Sequence, residues 1–448
     1  MTKARIHYAR VDEFWRKEHK YVFLLDKQGR GNVEWQELQP DGRQTWITEG
    51  MRDEFASYIS IGDKETKSSE KLNPQSIFKT FSNGVKTNRD VWAYNFDKIS
   101  LANNIRKTID VYNDHLQRWQ RAKNESQNID EFVTNDDKQI SWSRDLKLDV
   151  KRGKAVKFST EKIRNSIYRP FAKEFLFFDR VLNEEVYGFH SIFPTSEAEN
   201  ENLAFCATGI GAERPFATLA SKVISDLNFY GPGTVPQWFP FYVYNEDGRN
   251  QRENITDWAL EQFRTHYNDP AITKWDIFHY VYAILHHAVY RERYAANLKR
   301  ELPRIPFAPD FRGFAEAGAR LAELHVNYEQ QPEYPLEKID TPGERLNWRV
   351  EKMKLSKDKM RIVYNKSLTL DGIPPEAFDY RLGNRSALEW VIDQYQVSTD
   401  KRSGITNDPN REDDPQYIVR LVGQVITVSL ETMKVVKSLP DLGLDQTG

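Results

Sequence analysis

The stretch WDIFHYVYAILHHAVYRERYAANLKRELPRIPF, residues Trp275–Phe307, changes character halfway along. Its first half repeats apolar residues at helical spacing, with Phe278, Val281, Leu285 and Ala288 on one face and Ile277 and Ile284 beside them, which predicts a packed helix. Thr273, followed three residues on by Asp276, has the pattern of a capping box that starts it. The second half is basic. Arg291, Arg293, Lys299, Arg300 and Arg304 follow within a few turns, interleaved with Tyr290 and Tyr294, and Pro303 and Pro306 stop the helix. Two readings stay open: a core helix with a solvated charged end, or a buried helix that holds cations against phosphate.

Outward from this run, a further helix is expected near Ile255–Tyr267, and strands at Leu203–Thr208 and Phe239–Tyr244 on either side of the turn Gly231-Pro232-Gly233. Upstream, Ile105, Ile109, Tyr112, Leu116 and Trp119 give Ile99–Arg121 a buried helical face, and residues 151–180 are locally basic. Residues 1–75 read as short strands (Tyr21–Leu25, Val33–Leu38, Thr45–Ile47) between turns at Gln28–Gly31 and Pro40–Gly42, with Gly62–Asn73 as a polar linker. Ala122–Lys138 is a second polar connection. Downstream of a proline- and charge-rich boundary at 330–342, a strand at Arg361–Tyr364 and helices at Ala387–Gln394 and Gln416–Ser438 complete the chain. The expected fold is α/β of mixed α+β type: a strand-rich connector (1–75), a mixed domain (76–335) and a helical C-terminal subdomain (336–448).

Composition narrows the function. A formal net charge of −2 over 448 residues excludes a globally basic nucleic-acid binder, so any contact with DNA must rest on local patches. The single Cys206 cannot form an internal disulfide, and nine scattered histidines make no zinc signature. No apolar run approaches the roughly 20 residues that span a bilayer, and the N-terminus lacks the apolar core of a signal peptide, so the chain is expected in the cytoplasm, away from membranes.

Several catalytic readings present themselves. LAFCATGIG, Leu203–Gly211, looks like a strand entering a glycine turn, as S-adenosylmethionine sites begin. Asp414-Pro415-Gln416-Tyr417 is one residue from the Asp-Pro-Pro-Tyr loop of adenine methyltransferases, though it follows a polar run. Asp41 with Glu65 and Lys67 has the outline of a metal-dependent nuclease pattern, against which Glu65 lies in a polar linker. His279, His286 and His287 share one helix without a carboxylate at metal spacing and read as packing histidines.

The recognition signals are more specific. FSNGVKTNR, Phe81–Arg89, sets Gly84 beside Lys86, Thr87, Asn88 and Arg89, side-chain types that bond phosphates and base edges. IYRPF pairs Arg169 with aromatics, as FFDR does Arg180. RLGNR supplies Arg381, Asn384 and Arg385 around a glycine, and DKRSGITND supplies Lys401 and Arg402. The candidate DNA contacts are Lys86, Thr87, Asn88, Arg89, Arg169, Arg291, Arg304, Arg381, Asn384, Arg385, Lys401 and Arg402; alone, Phe81–Arg89 is equally a surface turn, and no single loop establishes DNA binding.

Together, FSNGVKTNRDVWAYNF, SIYRPFAKEFLFFDR, QWFPFYVY, the Trp275–Phe307 run, YRLGNRSALEWVIDQYQV and DKRSGITNDPN resemble, in this order, the C-terminal specificity region of type ISP restriction-modification enzymes. The opening IHYARVDEFWRKEHKYVFLL is similar to the segment that follows their methyltransferase core. The resemblance implies a target-recognition domain that reads double-stranded DNA for an N6-adenine methyltransferase and an ATP-driven translocase with a nuclease. This sequence has no P-loop, no helicase acid box and no convincing methyltransferase loop, so it is expected neither to methylate, hydrolyse ATP nor cut. Cofactors (S-adenosylmethionine, ATP and Mg2+) are implied for domains supplied in cis or in trans and none for this chain. Two rival readings stand beside this one: a self-contained S-adenosylmethionine-dependent adenine methyltransferase, and an assembly subunit that docks to a methyltransferase without reading DNA.

Overall fold

The computed structural model describes residues 5–11, 15–40, 46–68, 75–122 and 128–444. The basic stretch 151–180 folds into the centre of a sheet. Ile163–Arg169 and Ala172–Phe177 form an antiparallel hairpin, flanked by Tyr94–Asn95 on one side and Ile224–Ser225, in parallel, on the other. Ile163, Ile167, Leu176 and Phe177 are buried, and Phe171 makes the turn in the left-handed region at φ 58° with its ring fully enclosed. The long helix Lys98–Ala122, where the 3.6-residue repeat predicts one, lays Leu101, Ile105, Ile109, Tyr112 and Leu116 against this hairpin.

A second four-stranded sheet is antiparallel throughout, in the order Ser82–Asn83, Gln237–Pro240, Ala204–Ala207, Thr218–Ser221. The helix Lys274–Ile284 packs on it, with Phe278 against Phe205 and the Tyr282 hydroxyl accepting from the Ala220 amide at 2.9 Å. Its start is the expected capping box: Thr273 Oγ accepts from Asp276 N at 3.1 Å, and Asp276 Oδ2 from Thr273 N at 2.8 Å, worth about 1 kcal/mol. Behind it runs Phe311–Val326, capped by Asp310. The two helices approach so closely that a Cβ on Gly318 would lie 1.9 Å from the His279 carbonyl oxygen.

The helix does not continue through the basic half of its run. It ends at Ile284, and Ala288–Arg293 and Ala295–Leu298 follow as separate short helices. His286 Nδ1 bonds the Tyr282 carbonyl at 2.8 Å, taking the acceptor that the His286 amide would use in a continuing helix, and that amide turns to Ala283 O instead. His287 is then extended.

The N-terminal segment also departs from expectation. Tyr21–Leu25, read as a strand, lies within the helix Lys17–Lys27; only Gln36–Leu38 of the expected strands forms one, paired with Ile6–Tyr8. Lysines one turn away sit over aromatic rings, Lys17 on Tyr21 and Lys27 on Phe23, both at 5.4 Å. Trp46 and Ile47 are irregular, Lys64–Ser68 of the expected linker is helical, and Asp41 and Thr45 lie outside the described residues.

After residue 330 a four-stranded antiparallel sheet, Glu337–Asp340, Leu368–Asp371, Arg361–Val363, Lys354–Leu355, precedes the helices Ala387–Gln394 and Tyr417–Lys437. One hydrophobic core joins Phe171, Phe189 and Trp238 to Tyr328, Leu370, Trp390 and Leu421, drawing on both sides of residue 335.

Candidate nucleic-acid interface

Loops from distant and neighbouring parts of the sequence, at 86–92, 381–385 and 400–403, meet along one groove. Its first concavity, about 410 Å3, lies between Lys86–Trp92 and the tip of the hairpin Ser398–Thr399/Thr406–Asn407, represented by Asp400, Arg402 and Ser403. A second, about 380 Å3, shares Asp90, Val91 and Asp400 with it and continues over Tyr168 and Phe96 to Asp393 and Gln396. A third, about 460 Å3, shares Asp393 and Gln396 and ends on Lys352, Arg381, Asn384 and Arg385. The groove therefore joins Lys86–Arg89, Arg402 and Arg381–Arg385, each of which the sequence singles out.

Local chemistry fixes each loop. Gly84 admits a close approach, as its residue type predicts, but the approach is to protein: a Cβ there would stand 2.2 Å from the Asp226 carbonyl oxygen, while Val85 N bonds Ser225 O at 2.7 Å. The hairpin 398–407 is tied down by two asparagines. Asn95 Nδ2 donates to Thr406 O at 3.2 Å, Asn407 Oδ1 accepts from Phe96 N at 2.8 Å, and Asn407 Nδ2 donates to Glu174 at 2.8 Å. Burial pushes the Glu174 carboxyl up to about 7, against the pull of the Asn407 amide and Arg169. The turn between Leu382 and Arg385 places Gly383 at φ 70°. Ser386 then starts Ala387–Gln394 with a capping box to Glu389.

The candidate contacts separate by what holds them. Lys86 is half-buried and Asn88, Lys401, Arg402 and Asn384 are exposed; Arg402 acts electrostatically on the neighbouring Asp400. Asn88, at φ 55°, tops its loop. Thr87 is turned inward: its hydroxyl donates to Asp90 and accepts from Arg89 N at 3.1 Å. Arg381 donates to the Asn384 carbonyl, and Arg385 pairs with Asp393 at 2.6 Å while half-exposed.

Four arginines of the candidate set are held by groups of the protein itself. Arg89 is 5% exposed; Nε donates to Ser141 O at 3.2 Å, Nη1 to Leu182 O, and Nη2 to Ser143 Oγ at 2.6 Å beside Glu184. Burial lowers its pKa to about 10 even so. Arg169 lies under the groove, on the Tyr168 ring and 2.6 Å from Asp226. Arg291 points inward, Nε donating to Leu285 O at 2.7 Å. Arg304 bonds Glu301 at 3.2 Å and Tyr58 O at 3.2 Å, beside a separate cavity lined by Lys64 and Lys67. Three more cations of the basic stretch are held similarly: Arg164 pairs with Glu199, Lys162 with Asp179 at 2.6 Å and Lys173 with Glu329. A carboxylate 57 or 156 residues away in sequence gives no local signal, and this is why the stretch reads as locally basic.

The methyltransferase features do not assemble a cofactor site. Ala204–Ala207 is a middle strand of an antiparallel sheet, and a Cβ on Gly209 would meet the Val235 carbonyl oxygen at 2.1 Å, so the glycine serves chain packing. Asp414 pairs with Arg420, and Tyr417 is buried with its hydroxyl on Glu329 at 2.7 Å, closed to a flipped base. No helix among the described residues is long and apolar enough to cross a membrane.

Comparison with known proteins gives the following. The family model described as the Type ISP C-terminal specificity domain matches residues 76–421. Among solved structures, the fold matches a nuclease-deletion mutant of the Type ISP restriction-modification enzyme LlaGI in complex with a DNA substrate mimic, at a TM-score of 0.84 and 35% identity, over 99% of this chain and 40% of that one. It matches the chain of a cryo-EM DrdV–DNA complex at 0.86 and 33% identity, over 98% and 44%. The ATP-dependent Type ISP enzyme LlaBIII bound to DNA follows at 0.84 and 30%, over 99% and 28%. This chain thus spans less than half the length of each. No curated protein matches it.

Proposed function

Because the chain belongs to the Type ISP C-terminal specificity domain family, we propose that it recognises double-stranded DNA by sequence, in the cytoplasm, on behalf of methyltransferase and translocase domains supplied in cis or in trans. The observation that carries this reading is the groove: loops around residues 86, 383 and 402 converge on it and offer Lys86, Lys401 and Arg402 to phosphates, and Asn88, Asn384 and Arg385 to base edges. Thr87 and Arg89 shape the first loop, and Arg169 the floor. On this reading the chain itself uses no cofactor; S-adenosylmethionine, ATP and Mg2+ serve the other domains.

Binding through a few cations on a net-acidic chain must release counterions, so affinity falls linearly on a log–log plot against salt. Fluorescence anisotropy with a labelled duplex, between low and physiological ionic strength, tests it. A steep slope is expected, and a flat one removes the DNA role.

A further inference from the structure

The third concavity holds a pair built more rigidly than its neighbours. Arg385 opens the short strand Arg385–Ser386, and Asp393 lies near the end of the helix that Ser386 caps. Arg385 Nη1 donates to Asp393 Oδ2 at 2.6 Å, and the guanidinium carbon sits 4.9 Å from the centre of the Trp390 ring. Trp390 is buried and its Nε1 donates to the Leu382 carbonyl at 3.0 Å, so the surface beneath the arginine is fastened to the same hairpin. Asp393 is in turn braced: Gln394 Nε2 donates to its carboxylate at 2.8 Å and Gln396 Nε2 to its carbonyl at 2.7 Å.

We propose that Asp393 is a positioning residue that holds Arg385 to read the edge of a guanine, making this pair the determinant of one base in the recognised sequence. The inference rests on the DNA-binding reading above. Among the described residues only Nη1 is engaged. The Nε–Nη2 edge stays open, and its two parallel N–H groups are the fork that matches O6 and N7 of guanine in the major groove. Side-chain exposures of 38% and 41% leave Arg385 and Asp393 within reach of a ligand in the concavity, unlike Arg89 or Arg169, whose side chains are 2% and 11% exposed. A free arginine loses side-chain entropy on binding; one already set between a carboxylate and an indole loses less. A lysine at 385 would keep the charge and the pairing with Asp393 but has no planar fork.

The test is selection by the full chain from a library of randomised duplexes, with wild type, R385A, R385K, D393N and the double variant R385A/D393N. The wild-type motif is expected to contain one guanine whose preference falls on the order of tenfold or more in R385A and in R385K, other positions being retained. D393N should lose part of the same preference, and the double variant should be no worse than R385A alone. Replacing that guanine by 7-deazaguanine should weaken wild-type binding and leave R385A unaffected, a readout that a purely structural ion pair would not move. A wild-type motif kept intact in R385A or R385K overturns the proposal while leaving DNA recognition standing. An effect of D393N at a different base overturns the positioning role. A wild type that selects no motif overturns the proposal together with the reading it rests on.

Discussion

Two loops of this protein read almost alike in sequence and are used in opposite ways. Phe81–Arg89 and Asp400–Asp408 each set a glycine among cations, an asparagine and a threonine. In the first, Gly84 lies against Asp226, Thr87 is folded onto Asp90, and Arg89 is enclosed by Ser141, Ser143, Leu182 and Glu184, leaving Lys86 and Asn88 for the groove. In the second, the anchors are Thr406 and Asn407 at the base, and Lys401 and Arg402 are exposed at the tip. What a cation does here is decided by whether another part of the chain brings it a carboxylate or a carbonyl, not by its neighbours in sequence.

The sharpest way to break that contrast is to remove one arginine from each loop. Arg89→Ala leaves Glu184, itself only 7% exposed in its side chain, buried without its partner. Such losses cost about 3–5 kcal/mol, so urea unfolding should show a large drop in midpoint, whereas Arg402→Ala should stay within about 0.5 kcal/mol. If Arg89→Ala instead kept its stability and lost DNA affinity, the division between buried strut and open tip would be wrong.

The anchor of the second loop can be tested through pH. Glu174, which accepts from Asn407, has a folded pKa raised from 4.5 to about 7, chiefly by burial. The folded state therefore holds a proton that the unfolded chain releases earlier, and this contribution is fully present below about 4.5 and lost as pH rises through about 7. Melting temperature should fall over that window more in the wild type than in Glu174→Gln, whose amide cannot ionise. Parallel pH profiles would exclude a buried, titrating Glu174.

The smallest effect sharpens the comparison from the ligand's side. Arg402→Ala should weaken binding to every duplex about equally and lower the salt slope by about one, with stability unchanged. A change in which duplex is preferred would move Arg402 from phosphate to base.

Much of the fold is legible because local pattern and tertiary packing agree. The helices Lys98–Ala122 and Ala387–Gln394 carry an apolar 3.6-residue repeat, and Ser386 and Thr273 sit at capping boxes. Where the two conflict, the sequence misleads. Tyr21–Leu25 has the aromatic and β-branched character of a strand, yet its helix buries no residue. Phe311–Val326 was legible in principle from Asp310, Phe311, Phe314, Leu321 and Leu324, but Gly313 and Gly318 dilute the helical signal; Gly318 is there because the His279 backbone leaves no room for a Cβ. In the groove, the loops at 84, 383 and 404 are visible as glycines among polar groups. The partners that hold Arg89 and Arg169 lie on other segments, and that of Arg291 on the turn that ends the preceding helix.

The joint core has a consequence for how the chain is made. Phe171, Trp238 and Leu421 bury one another's surroundings, and Asn95 bonds Thr406 across 311 residues. Contacts so distant along the chain cannot form until both partners have left the ribosome, and they close late because long loops must be brought together before any burial rewards them. The helix Tyr417–Lys437, synthesised long after residue 85, brings Ile418, Leu421, Val422 and Val425 to a surface that has waited for it. Until then that apolar surface is open to aggregation and chaperones. The groove, which needs residues 86 and 402 together, becomes competent only once the whole of this region has left the ribosome.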